Sequence, residues 1–434
     1  MKSFASFLLT FLIILSGIGL LYPATIRADS STAPLLQMSD LVYEGAFRVP
    51  EGQLGSGEYA NFNYSDDGLA FNPAHNSLFL KGHTYAQMVA EISIPTLVNS
   101  NNINNLNTAA VLQNFADITE GQLNQENIPY SATPNVILGG LLVYNNKLIG
   151  SYWAYYDNGP VQQKSHFYHS LTLGQAGTFQ GMYKVNYQNA FASFLGGYMT
   201  TIPSEWQSAL GGPALTGHCC TSIIGHQSLG PSAWVFDPDT LGVQNPVPST
   251  PVVHYPLSHP TLGTWDHPLP ANPIYSVATT ITGVVFPAGT RSILFFGHTG
   301  LGEQCYGCGG ATNPGAECAQ QWCYDLADPY KGSHAYPYSP YVWAYDVNDF
   351  IAVKNGQKNP WDIRPYMNSA LTLPFTSNEA FNELNGAAYD PATQRLYITQ
   401  KCAPDVYCFP IIHVFRVNVA APASPAAPGN LRLR

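Results

Sequence analysis

Four times along the chain a small residue opens a short apolar run, which breaks at a polar turn and resumes as a second apolar run. The four are GLAFNPAHNSLFLKGH from Gly68, GLLVYNNKLIGSYW from Gly140, GVVFPAGTRSILFFGH from Gly283 and GAAYDPATQRLYITQ from Gly386. Short runs punctuated by Asn, Asp, Pro and Gly are the pattern of a β-hairpin. A third apolar stretch follows each: VAEISIP at Val89, FYHSLTL at Phe167, VWAYDVN at Val342 and IIHVFRVN at Ile411. Weaker fourth strands are expected at Ala109 to Phe115, Phe179 to Val185, Val252 to Tyr255 and Ala370 to Leu373.

Self-similarity at this spacing predicts a repeat architecture of four-stranded units, an all-β propeller. A further unit must occupy residues 186–250, where CTSIIGH and SAWVFDP are strand-like, which makes five blades. Six is the alternative, if residues 186–220 hold one more. The last unit stops at Val417 without a fourth strand, while LVYEGAFRVP at Leu41 to Pro50 is a strand with no unit in front of it. Pairing these two orphans closes the ring and removes exposed sheet edges.

Composition agrees with many short strands and turns. Charged residues are 10% of the 434, whereas Gly (38), Pro (34) and Tyr (27) are abundant, so helix should be sparse. Lys2, the apolar run Phe7 to Leu21 and Ile26-Arg27-Ala28 read as an export signal. The expected division is a signal peptide at 1–28, one propeller domain at 29–420 and a Pro/Ala-rich tail at 421–434. The protein is then secreted, extracellular or periplasmic, with no membrane insertion once the signal is removed. The formal charge of -10 repels a nucleic-acid backbone or an anionic bilayer, leaving neutral or cationic partners. Oligomeric state is not legible in the sequence.

The eight cysteines, Cys219, Cys220, Cys305, Cys308, Cys318, Cys323, Cys402 and Cys408, are an even set in an exported chain and predict disulfides. Cys402 should join Cys408 across a short loop. Cys219 and Cys220 either pair with each other or go to separate partners. The group from Cys305 to Cys323 leaves zinc as an alternative.

Loop lengths identify the working face. Connections from first to second strand are tight, at Asn72 to Asn76, Asn145-Asn146, Pro287 to Thr290 and Asp390 to Gln394. On the opposite face Gly297 to Tyr341, Lys401 to Pro410, Asp117 to Leu138 and Pro256 to Thr279 are long. Long ordered loops on a rigid scaffold are where binding residues collect. Gly-His recurs at His83, His226 and His298, with Trp153 in the corresponding place of the second unit. Converging histidines would hold a metal or donate to a sugar, and Trp153 would stack on one. No cofactor is expected beyond such a metal. Asp66, Asp67 and Glu383 precede innermost strands of units that ring closure makes neighbours, and paired carboxylates can serve as acid and base in glycoside cleavage. Trp265, His267, Lys331 and His334 add polar and aromatic character in the long loops.

The stretch from GAAYDPATQRLYITQ to IIHVFRVN resembles blades of secreted bacterial propellers of the NHL-like and YVTN-like groups. Their fold is what the resemblance implies, since those groups serve many functions. Three function classes stay open: binding of a glycan or other small polar ligand, a secreted glycoside hydrolase or lyase using the funnel carboxylates, and a structural or adhesive surface module. The stapled, aromatic face favours binding.

Overall fold

The computed structural model describes residues 32–129, 134–220, 226–264, 273–313, 315, 321–375, 383–402 and 408–419. Five four-stranded antiparallel sheets follow one another around a common axis. Blade 1 comprises Leu69–Asn72, Ser77–Lys81, Val89–Ser93 and Val111–Ala116. Blade 2 comprises Val136–Tyr144, Lys147–Ala154, His166–Ser170 and Gln180–Tyr183. Blade 3 comprises Tyr198–Thr201, Ala214–Gly217, Ala233–Phe236 and Ser249–Val253, and blade 4 Thr280–Val285, Ser292–Gly300, Tyr338–Asp346 and Met367–Ala370. Blade 5 takes Leu384–Asp390, Arg395–Gln400 and Ile411–Val417 from the end of the chain and Leu41–Arg48 from its beginning. The closing pair is antiparallel, with Leu41 opposite Val417 and Arg48 opposite Ile411. Closure by the N-terminal strand is therefore as expected, and the six-blade alternative falls away.

Alternation along the second strands explains why their apolar runs are continuous. Successive side chains of a strand point to opposite faces, and here both faces are covered by neighbouring blades. Ile293 and Phe295 join the cluster shared with blade 3, while Leu294 and Phe296 join the cluster shared with blade 5. Leu78 and Leu80 face blade 5 and Phe79 faces blade 2. Leu148 and Ile149 divide in the same way between blades 1 and 3. Each gap between blades is thus its own hydrophobic core.

At the axis the inner strands approach too closely for side chains. A Cβ on Gly140 would sit 2.7 Å from the Tyr198 Cα, and one on Gly283 would sit 2.7 Å from the Ala387 amide nitrogen. At Gly140 and Gly283 the small residue that opens the repeat is therefore a packing requirement. Only about 10 Å³ remains open there, room for about one water.

Blade 3 departs from the sequence expectation. SAWVFDP is its third strand, but its inner strand is Tyr198–Thr201, and helix Ser204–Leu210 replaces the tight turn found elsewhere. That helix ends at Gly211 (φ 87°), whose amide donates to the Gln207 carbonyl at 2.7 Å. Trp206 fixes it by donating from Nε1 to the Thr290 carbonyl of blade 4 at 2.8 Å. CTSIIGH lies largely outside the described residues, as do residues 1–28 and 421–434. Among the described residues no helix is long and apolar enough to cross a membrane.

Disulfides join Cys219 to Cys220, Cys305 to Cys323 and Cys402 to Cys408. Cys308 is disulfide-bonded as well, and Cys318 lies outside the described residues. Zinc at the Cys305 to Cys323 group is thereby overturned, because the thiolates a zinc ion needs are consumed in disulfides. What stands of the resemblance to NHL-like and YVTN-like blades is the propeller itself.

Candidate functional site

The second strands of all five blades end at one mouth of the axis. Ser77–Lys81 runs into His83, Lys147–Ala154 carries Trp153, and Ala214–Gly217 runs into His218, Cys219 and Cys220. Ser292–Gly300 carries His298, and Arg395–Gln400 runs into Lys401. Segments entering the inner strands reach the same mouth and bring Asp66, Asp67 and Glu383. In the turn ahead of blade 1, Asp67 (φ 45°) and Gly68 (φ 60°) are both left-handed, a conformation that costs a non-glycine residue energy and marks a constrained position.

Two lysine–carboxylate pairs organise the floor. Lys81, fully buried, places Nζ 2.6 Å from Asp66 Oδ1 and donates to the Leu138 carbonyl of blade 2 at 2.7 Å. Lys401 Nζ lies 3.0 Å from Glu383 Oε2. Burial of this kind is tolerated only when the charge is paired. Glu383 is raised by burial, but Lys401 and then His298 more than offset this and hold it below the usual carboxylate range. Lys401 is raised chiefly by Glu383, with Asp66 and Asp67 contributing. Asp67 behaves in the opposite way: burial pushes it up to about 6, with Asp66 adding to the rise and Lys81, Lys401 and Trp153 opposing it. The Trp153 indole N–H faces that carboxyl closely enough to favour the ion but makes no hydrogen bond.

Around the floor stand aromatic and imidazole groups. His83 is ringed by Tyr59, Tyr64 and Tyr85 at 4.5, 5.6 and 5.2 Å between ring centroids, and all three tyrosines are exposed. Its Nδ1 accepts from the Tyr85 amide at 3.1 Å, so the proton of the neutral ring sits on Nε2. Burial lowers His83, with Asp66 opposing. Trp153 lies against His218 at 4.7 Å. His298 is lowered by burial, and its Nδ1 is enclosed without a hydrogen-bond partner.

The long excursion of blade 4 closes one side. Its own two-stranded ribbon, Cys305–Cys308 against Lys331–His334, is stapled by the Cys305–Cys323 disulfide. Beneath it the His334 Nδ1 meets Asp325 Oδ2 at 2.7 Å, and the Tyr338 hydroxyl donates to the same oxygen. The other nitrogen of His334 faces the Gly307 and Tyr330 carbonyls at 3.1 Å. Between this insertion and the mouth lies an open cleft of about 160 Å³, bordered by His298, Glu383, Asp328, Ser333, Tyr338 and Thr280.

The residues singled out in the sequence separate into groups. Asp66, Asp67, Glu383, His83, Trp153 and His298 meet at the mouth. His226 does not stand in the equivalent place: blade 3's second strand ends at Gly217-His218, and His226 packs on Phe191 at 4.1 Å. His334 is buried with both nitrogens engaged, Lys331 is exposed on the ribbon, and Trp265 and His267 lie outside the described residues. Among the described residues no three His, Cys, Asp or Glu side chains are grouped as metal ligands. Lys81, His218, Lys401, Asp328 and Tyr338 were not anticipated. Lys81 had a legible signal, a lysine inside the apolar run SLFLKGH.

No family model and no curated protein matches the sequence. Solved structures similar to this chain include the Cellvibrio cellulosa α-L-arabinanase complexed with arabinohexaose, at 9% identity and TM-score 0.39, covering 81% of this chain and 91% of that one. The GH43 endo-arabinanase from Bacillus licheniformis shows 8% identity and TM-score 0.38 over 85% and 96% of the two chains. The Bacillus subtilis arabinanase Arb43A shows 11% and 0.37 over 86% and 94%. At such identity and superposition the likeness carries no ligand, activity or residue role to this chain.

Proposed function

We propose that the protein binds a glycan or comparable polyhydroxylated ligand at the long-loop mouth of the propeller. The observation that carries this reading is the convergence of all five second strands on one mouth, where carboxylate–lysine pairs, imidazoles and aromatic rings gather beside a cleft bordered by Glu383, His298 and Tyr338. Sugars are recognised by that combination, since rings cover their C–H faces while fixed polar groups take their hydroxyls. An exported, disulfide-bonded protein would meet such ligands outside the cytoplasm. The test is a glycan-array screen of the full protein followed by titration of each hit. A retained glycan whose affinity falls at least about tenfold in Trp153→Ala supports the reading, a size expected when an aromatic contact is lost. Absence of binding across a broad panel turns the assignment to a structural or adhesive module.

A second reading, cleavage of the bound glycan, is favoured by the opposed carboxyls. Asp67 is raised to about 6 while Glu383 is held low. Environments that push two carboxyls apart divide the roles of proton donor and ionised partner. New reducing ends released from a bound glycan, and abolished by both Asp67→Asn and Glu383→Gln, would establish a hydrolase. Unsaturated products would establish a lyase, and retention of intact glycan would leave binding alone.

A further inference from the structure

We infer that Tyr59, Tyr64 and Tyr85 form a second subsite beside the mouth, over which a neutral polysaccharide chain runs. The inference rests on the glycan reading and makes its ligand a polymer instead of a single sugar. The three rings surround His83 yet stay open to solvent, at 38, 49 and 55% exposure. Tyr59 and Tyr85 also meet edge to face at 5.8 Å, so that with His83 the tyrosines make one continuous aromatic surface. A grouped, solvent-facing aromatic surface of this kind marks a place of contact, where a lone exposed ring would not.

The backbone holds that surface out at a cost. Tyr59 (φ 63°) and Tyr64 (φ 50°) are left-handed, which is unusual for a bulky side chain, and among the described non-glycine residues with positive φ they are the only aromatic ones. Such positions sacrifice stability and collect at ligand clamps and active sites. Asp67, Gln87, Cys402 and Cys408 beside them are left-handed too. Hydrogen bonds lock the same segments. The Tyr64 amide donates to the Cys408 carbonyl at 3.0 Å, the Thr84 amide to the Tyr64 carbonyl at 3.2 Å and the His83 amide to the Asn61 carbonyl at 2.9 Å. The Gln87 side chain ties the Tyr85 loop to blade 2, accepting from the Leu138 amide at 2.5 Å and donating to the Thr84 carbonyl. Rings carried on a fixed backbone lose less freedom when a ligand arrives. The surface is continuous with the floor of the mouth, because His83 forms a β-bridge with Ser65, the neighbour of Asp66. Tyrosines suit a sugar chain, since each offers a ring to C–H groups and a hydrated hydroxyl to the groups around them. Charge selects a neutral chain. Residues 58–67 and 83–88 carry Glu58, Asp66 and Asp67 but no lysine or arginine, and Lys81 behind them is paired with Asp66, so an anionic polymer is repelled.

The experiment is affinity electrophoresis of the full protein through gels containing xylan, galactan, mannan, β-glucan or starch, with pectate as the anionic comparator. Calorimetric titration then uses di- to hexasaccharides of a neutral polymer that retards the protein, or of a longer hit from the glycan array. The expected result is a gain in affinity of about tenfold or more from disaccharide to hexasaccharide, unaffected by salt. Tyr59→Ala and Tyr85→Ala should each cut that gain by about threefold or more and Tyr85→Phe should keep it, while circular dichroism shows all three variants folded. Equal affinity for short and long oligosaccharides, a gain unchanged in both alanine variants, or stronger retardation by pectate overturns the inference. If only glycans of one or two sugars bind, the inference falls and the glycan reading stands. If no glycan of any length binds, both fall.

Discussion

The two mouths of the axis are built from the same five repeats and have opposite character. At the tight-turn mouth, the inner strands end in short polar turns, or in helix Ser204–Leu210 in blade 3, around a depression of about 170 Å³ lined by apolar side chains such as Phe71, Val143 and Tyr389. At the long-loop mouth, equivalent strand ends carry polar or aromatic groups of three kinds, the imidazoles of His83, His218 and His298, the indole of Trp153 and the ammonium of Lys401. The difference teaches how this scaffold separates its tasks. Positions facing the gaps between blades must be apolar in every repeat, whereas strand ends at the long-loop mouth are free to differ because the closed ring is already stable without them.

The comparison breaks most easily through the core. Phe295 is fully buried between blades 3 and 4, with ring centroids 5.9 Å from Tyr198 and 5.6 Å from Tyr345. Phe295→Ala should cost about 3–5 kcal/mol by denaturant unfolding, as large aromatic truncations do. A loss of under about 1 kcal/mol would mean that the gaps between blades are not the source of stability.

Acid should act next, again through the core. Burial pushes His166 and His413 down to about 3, so the folded protein keeps them neutral where an unfolded chain protonates them near the ordinary value of 6.5. Their contribution is complete above about 6.5 and is lost as pH falls toward 3. Unfolding free energy measured across that window should decline on acidification, and less steeply in His413→Gln. A flat profile would contradict the burial of these rings.

Smaller effects belong to the mouth. Trp153→Ala should lower stability by less than Phe295→Ala does, since Trp153 is only part-buried, while removing ligand binding. Asp67 has the opposite sign to the histidines. Its folded value of about 6 lies above the ordinary 3.8, so it withdraws stability as pH rises through that interval. Asp67→Asn should therefore gain stability relative to the parent above pH 6 and gain none below pH 4.

Legibility in the sequence follows the same division. Four blades and the closing pair of Leu41–Arg48 with Ile411–Val417 were readable, because burial on both faces forces continuous apolar runs that recur. Blade 3 was not, because its inner strand is four residues long and helix Ser204–Leu210 stands where a turn signal was sought. Asp66, Asp67 and Glu383 could be found, since they abut repeated strand starts. His218 was masked by the competing Gly225-His226, and Asp328 lies in an insertion with no counterpart in other blades, so no periodicity could place it.

The central claim, that the long-loop mouth and not the tight-turn mouth receives the ligand, is tested most directly by hydrogen–deuterium exchange with and without a bound glycan from the array. Slowed exchange should map to segments around His83, Trp153, His298 and residues 383–402 and leave Phe71, Val143 and Tyr389 unchanged. Protection confined to the tight-turn mouth, or spread evenly around the outer strands, would contradict the account.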